Sequence, residues 1–146
     1  MREPEPKRIP PDESTIGSCT LHVCVSCRPP GTPREPREDR PGFVLYQLLR
    51  DAIEGSELAS RVDVRSAKCL SLCPRPCGIA LMSSLEAWTY LFGDQDPSEG
   101  VDDIVECISR YLESPGGLMA RSERPKTLRA SILGRVPPRS GGPTCI

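Results

Sequence analysis

A chain of 146 residues holds one domain with a modest core, and its formal charge of −1 gives no reason to expect nucleic-acid binding or a strongly basic membrane surface. No apolar run approaches the roughly 18 residues of a membrane-spanning helix. The opening MREPEPKRIPPDEST lacks the apolar stretch of a secretory signal, so a cytoplasmic protein without membrane or nucleic-acid partners is expected.

Residues 1–18 carry Pro4, Pro6, Pro10 and Pro11 among many charges and have almost nothing to bury, so they read as a disordered leader. The folded domain is expected over residues 19–112. Thr20–Val25 (TLHVCV) is short, β-branched and periodic at two residues, which suits a strand. The following CRPPGTPREPREDRPG is too rich in proline to be helical. From Phe43 the pattern turns helical: Phe43, Tyr46, Leu49 and Ile53 recur at i+3 and i+4, with Pro41 before them and Gly55 after. Arg61–Ser66 alternates as a half-buried strand, Gly78–Met82 reads as a more buried one, and Ala87–Phe92 completes a hairpin with it. The last helix carries the apolar stripe Val101, Ile104, Val105, Ile108, Tyr111 and Leu112. Its start is expected at Pro97, with Asp96 as cap and Glu99 completing a capping box. Residues 113–146 hold many prolines, glycines and arginines and are expected to be mostly loose, although TLRASILGRV can dock as a helical turn.

The order is β-α-β-β-β-α. The first two strands, joined through a helix, are expected to be parallel with a right-handed crossover, and the last two antiparallel. This predicts an α/β fold with a thioredoxin-like mixed sheet, flanked by disordered termini.

Eight cysteines in a reducing compartment favour metal or redox chemistry over a disulfide framework. Cys24 and Cys27 (CVSC) lie at the end of the first strand. Cys69 and Cys73 (CLSLC) lie just after the second. If those strands are parallel neighbours, all four thiols emerge at one edge of the sheet, where they can hold a four-coordinate metal centre. Zinc and an iron–sulfur cluster use the same residue types. A thioredoxin-like dithiol at CVSC competes poorly, because Pro29 and Pro30 interrupt the helix that would lower the pKa of its first cysteine. Buried, unreactive thiols are the remaining alternative.

VDVRSAKCLSLC, GIALM and DPSEGVDDIVECISRYL together resemble the second half of the thioredoxin-like [2Fe–2S] ferredoxins. In that family a strand leads into a C-L-x-x-C loop, then a hairpin, then a helix with an acidic start. CVSCRPPG, CLSLCPRPCGIAL and GRVPP further resemble a family of small bacterial predicted metal-binding proteins, often encoded beside cobalamin-synthesis genes and a metal-chaperone GTPase. The resemblance implies a [2Fe–2S] cluster on Cys24, Cys27, Cys69 and Cys73, and single-electron transfer to a redox or metal-handling protein, with a link to cobalt or corrinoid metabolism. A homodimer is an allowed state. The rival reading is an accessory or chaperone module that carries zinc or cobalt on the same thiolates without redox chemistry. The chain departs from the ferredoxins in the tight spacing of its first pair and in Cys77, a fifth thiol that can substitute for Cys27.

The other candidates are weaker. Cys107 reads as core, and Cys19 and Cys145 as bystanders. His22, the one histidine, shares a strand face with Cys24 but reads as structural. Trp88, Tyr90 and Phe92 read as core. Arg75 is placed to add positive charge beside the cysteine loop. Asp94, Asp96, Glu99, Asp102 and Asp103 read as helix-start chemistry, with a docking surface for a basic partner as the minority reading. With one histidine, no phosphate-binding glycine loop and no nucleophile–base pair, independent catalysis is not expected.

Overall fold

The computed structural model describes residues 16–72 and 74–139. The chain begins with β1 (Cys19–Cys24), and a loop containing one 3-10 turn leads to α1 (Pro41–Glu54). Then come β2 (Val62–Ala67), β3 (Ile79–Met82), β4 (Thr89–Phe92) and α2 (Val101–Glu113). Two further 3-10 turns precede α3 (Thr127–Ala130) and β5 (Ile132–Val136). The predicted β-α-β-β-β-α order is present, with two elements added after it. No helix among the described residues is long and apolar enough to cross a membrane.

The strands form one mixed sheet in the order β2-β1-β3-β4-β5. β1 and β2 are parallel, with Cys19 opposite Val62 and Cys24 opposite Ala67. The remaining pairings are antiparallel. Because side chains alternate between faces, Leu21, Leu81 and Tyr90 form one row across three strands, and Val23, Ile79 and Phe92 form the next. All six are buried. The Tyr90 ring meets Tyr111 of α2 edge-on at 5.9 Å, which identifies this face as the one that α2 covers. α1 touches α2 as well as β1, so both helices lie on that side. Leu45, Leu49 and Ile53 of α1 and Ile104, Ile108 and Leu112 of α2 complete the core at helical spacing. Each such side chain contributes roughly 1.5–3 kcal/mol by leaving water.

Two expectations need correction. α2 begins at Val101, not at Pro97. Asp96 instead closes a separate turn, accepting the Ser98 N–H at its carboxylate (2.9 Å) and the Gly100 N–H at its carbonyl (2.7 Å). The second correction concerns the segment from residue 113. Within its described part, to residue 139, it is not loose: α3 packs beside α2, and β5 extends the sheet along β4. Met119 and Leu128 are buried with the core, and the Met119 N–H donates to the Tyr90 hydroxyl at 2.8 Å. The turn at 115–117 needs glycine, since Gly117 has φ +73° and a Cβ there would run into the Tyr111 ring. The anchoring residues are too widely spaced, and too often interrupted by proline and glycine, to show a period in sequence. Residues 1–15, expected as the leader, and 140–146, with Cys145, lie outside the described residues.

The start of α1 bears directly on the cysteines. Pro41 suits the first helical turn, where its missing N–H has no partner to lose. The N–H of the next residue, Gly42, donates to the Cys27 carbonyl at 3.0 Å. A Cβ at Gly42 would overlap the Cys24 carbonyl oxygen and come within 3.1 Å of the Cys27 Cβ. Only glycine lets the helix end sit this close to the Cys24–Cys27 turn.

Two measurements check this packing. Leu128→Ala is expected to cost about 2–5 kcal/mol in urea unfolding, the penalty of a core cavity; a change below about 0.5 kcal/mol, the surface range, would mean that the segment does not dock. Gly42→Ala is expected to destabilise the protein by about 1–3 kcal/mol and to raise the alkylation rate of Cys27. If stability and alkylation both stay at wild-type values, the helix end is not held against the turn.

Candidate metal centre

Parallel pairing of β1 and β2 sends both strands out of the sheet at the same edge. The ladder continues one step past the strands, with the Val25 N–H donating to the Ala67 carbonyl at 2.9 Å. β3 runs the opposite way, so its start returns to that edge, and the Cys24 N–H donates to the Gly78 carbonyl at 3.1 Å. Three cysteine-bearing segments meet there: 24–27 after β1, the loop after β2, and 77–78 before β3.

Cys24, Cys27 and Cys77 are buried, whereas Cys69 is exposed. Cys24 and Cys27 share a side-chain hydrogen bond, and the two residues respond to it in opposite directions. The Cys24 thiol is brought down to about 5, first by the Cys27 hydrogen bond and further by the backbone N–H groups of Leu70, Ser26 and Cys27, against the opposing effect of burial. Cys27 is pushed up as the donor of that bond and by burial, although the Gly78 N–H points at its Sγ from 3.4 Å. Cys77 is raised to about 11 by burial, then by the nearby Cys24 and Asp96 charges. Of the three, Cys24 is the one shifted toward the thiolate, and the two beside it are shifted toward the thiol. At the lip of the site, the Ser71 N–H donates to Cys69 Sγ at 3.3 Å, from a residue with φ of 59°.

The structure therefore brings together Cys24 and Cys27, as the sequence predicts, and adds Cys77 beside them. Leu70 joins the second predicted segment to the first through its N–H on Cys24. Cys73 lies outside the described residues. Among the described residues, no three histidine, cysteine or acidic side chains stand in a ready metal-holding group. The donor chemistry nonetheless fits a thiolate-bound zinc or iron–sulfur group: soft sulfur ligands on three segments, amide N–H groups directed at the sulfurs of Cys24, Cys27 and Cys69, and little water around the buried ones.

A cleft of about 500 Å³ opens onto Cys27 and Cys69 and is lined also by Pro76, Arg28, Arg34 and Arg40. These arginines lie in the proline-rich loop, where sequence shows them only as alternating charges. Arg28 donates to the Thr32 carbonyl at 2.8 Å and Arg40 to the Arg34 carbonyl at 2.7 Å, which turns the loop back over the site. Arg40 also pairs with the Glu35 carboxylate at 3.5 Å, so part of the positive charge over the cysteines is already met within the loop.

Arg75 does not supply free charge to the site, contrary to expectation. It forms an ion pair with Asp94, its Nε donating at 2.6 Å. The Asp94 N–H returns to the Arg75 carbonyl at 2.9 Å, and the Gln95 N–H donates to the Cys77 carbonyl at 3.1 Å. Asp94 thus tethers the cysteine loop to the end of β4. Of the remaining acids, Asp96 holds Ser98, and Asp103 accepts the Thr127 hydroxyl at 2.6 Å. No signal in sequence could have paired Asp94 with Arg75, since only the β3–β4 hairpin brings them together. Cys19 and Cys107 are core residues, each raised to about 12 by burial. His22 pairs across the sheet with Arg65 and Ala80 and is part-exposed.

Comparison with solved structures gives the fold a counterpart. A thioredoxin-like [2Fe-2S] ferredoxin from Aquifex aeolicus superposes with a TM-score of 0.55 at 19% identity, covering 87% of this chain and 98% of the ferredoxin. A second structure of the wild-type Aquifex ferredoxin gives 0.51 at 18% identity over 80% of this chain and 97% of its own. A cysteine-to-serine variant of it gives 0.52 at 18% identity over 80% and 98%. The likeness establishes a thioredoxin-like ferredoxin fold for this chain. No curated protein gives a significant sequence match. Residues 21–138 match a family model described as "Protein of unknown function (DUF1636)", and the chain belongs to that family.

Proposed function

We propose that the protein is a small electron carrier that holds one [2Fe–2S] cluster on Cys24, Cys27, Cys69 and Cys73, with Cys77 able to replace Cys27. One observation carries the reading: the N–H of Leu70, next to Cys69, is directed at the sulfur of Cys24, which supports a shared site for two cysteine segments some forty residues apart. The ferredoxin-like fold supports the same assignment. When bound, the cluster supplies a one-electron couple.

The chain's own residues would do the rest. The N–H groups of Leu70, Ser71 and Gly78 donate to thiolate sulfur and so stabilise its negative charge. Burial of Cys24, Cys27 and Cys77 keeps water from one side of the centre. Arg28, Arg34 and Arg40 line the open side, where a redox partner would approach. The resemblance to bacterial metal-binding proteins encoded beside cobalamin-synthesis genes supports a cytoplasmic role in cobalt reduction or corrinoid synthesis. In this reading the protein has no independent catalytic activity.

Purification without oxygen, followed by a visible spectrum and assays of iron, acid-labile sulfide and zinc, tests the assignment. A red-brown protein with equal iron and sulfide, two of each per chain, is expected. A colourless protein with stoichiometric zinc would replace the electron carrier with the metal-carrying accessory module. Cys24→Ser and Cys69→Ser are each expected to lose or strongly perturb the cluster spectrum. Comparing Cys27→Ser with Cys77→Ser then identifies which of these neighbours is the ligand.

A further inference from the structure

The segment after α2 builds a second cavity that shares no lining residue with the cysteine site. Its volume is about 550 Å³, and Met119, Ile132, Arg121, Arg124, Arg135 and Glu123 line it. That size lies within the range of small-molecule pockets. Three guanidiniums and one carboxylate give the lining a net of two positive charges.

Arg124 is the anomaly. It is only 6% exposed, and among the described residues its one hydrogen bond from the side chain runs from Nε to the Leu128 carbonyl at 3.0 Å. No carboxylate among the described residues is bonded to its guanidinium. Glu123, its chain neighbour, is committed elsewhere and accepts the Ala120 N–H at 2.7 Å. Burial holds Arg124 below the ordinary arginine value, and the charges of Arg121 and Arg135 add to that effect. Burying a cation beside two others is costly unless an anion compensates for it.

The surrounding groups are arranged to receive that anion. Arg121 is steadied by a bond from Nη1 to the Arg129 carbonyl at 3.0 Å. Arg135 lies over the Trp88 ring at 4.5 Å and bonds to the Tyr90 hydroxyl. Anchored guanidiniums lose little freedom when they close on a tetrahedral oxyanion, and their planar forks match its oxygens. Met119 and Ile132 leave an apolar wall beside them.

We propose that this cavity is a binding site for a small organic phosphate: a phosphomonoester dianion held by Arg121, Arg124 and Arg135, with an apolar body against Met119 and Ile132. The dianion matches the lining charge, and the apolar wall favours an organic ester over free phosphate. The site stands independently of whatever the cysteines hold.

The test is calorimetric titration of the full chain with phenyl phosphate at low ionic strength, with benzoate as a monoanion carrying the same ring. Saturable one-to-one binding of phenyl phosphate is expected, with benzoate weaker by roughly tenfold or more. Arg124→Gln and Arg121→Gln are each expected to weaken phenyl phosphate binding by at least about tenfold. Arg121 is exposed, so Arg121→Gln gives a reading even if Arg124→Gln fails to fold. The proposal is overturned by absence of saturable binding, by equal binding of benzoate, or by an Arg121→Gln variant that folds normally and binds like wild type. A loss of binding in Arg28→Gln as large as that in Arg121→Gln would also overturn it, because the anion would then occupy the cleft beside Cys69.

Discussion

Parallel pairing of β1 with β2 is the constraint on which the rest depends. With Cys24 opposite Ala67, the residues that follow each strand leave the sheet side by side. A slip of one residue would turn Leu21 and Val23 away from the helices and carry Cys24 to the other face. The register is strongly specified, because the helix-facing row across β1, β3 and β4 is buried throughout. The hydrophobic core thereby sets the geometry of the thiols, although Leu21, Val23, Leu81 and Tyr90 carry no chemistry of their own.

Around that edge, backbone polarity does what charged side chains do in many other sites. Amide N–H groups from three segments point at sulfur, and the positive end of α1 packs against the Cys24–Cys27 turn through Gly42. These dipoles are built into the chain and cost little to orient once the fold has formed. The cysteine loop gains rigidity from outside itself, through the Arg75–Asp94 pair and the bond from Gln95 to the Cys77 carbonyl. A partly exposed ion pair of this kind contributes little to stability. Its importance here is positional, since it fixes where the loop meets β4.

Two arginine-lined cavities lie in separate parts of the fold. One lies over the cysteines, roofed by the proline-rich loop. The other lies between β5 and the turns that follow α2, around the buried Arg124. Both are lined by three arginines, yet the physical contexts differ. The first set lines a cleft with Cys27 and Cys69 and includes Arg40, which is paired with Glu35, whereas the one carboxylate among the second set's lining residues, Glu123, is committed to a backbone N–H.

Much of this was legible in the residues. Period-two alternation marked β1 and β2, a buried apolar run and an aromatic one marked β3 and β4, i+3 and i+4 spacing marked both long helices, and CVSC and CLSLC marked the candidate thiol segments. These signals are local, because each element's buried face repeats at the element's own period. What sequence could not show depends on contacts between distant segments. Met119, Leu128 and β5 dock only because β4 and α2 offer them a complementary surface. Asp94 finds Arg75 only across the hairpin, and Arg124 loses its water only when the turns after α2 close over it. The sequence by itself determined the kinds and order of the elements from β1 to α2 and where the thiols fall along them. Tertiary structure alone decided which cysteines are buried, which arginines face them, and that the chain after α2 belongs to the domain, because burial is a property of the packed assembly and not of any one segment.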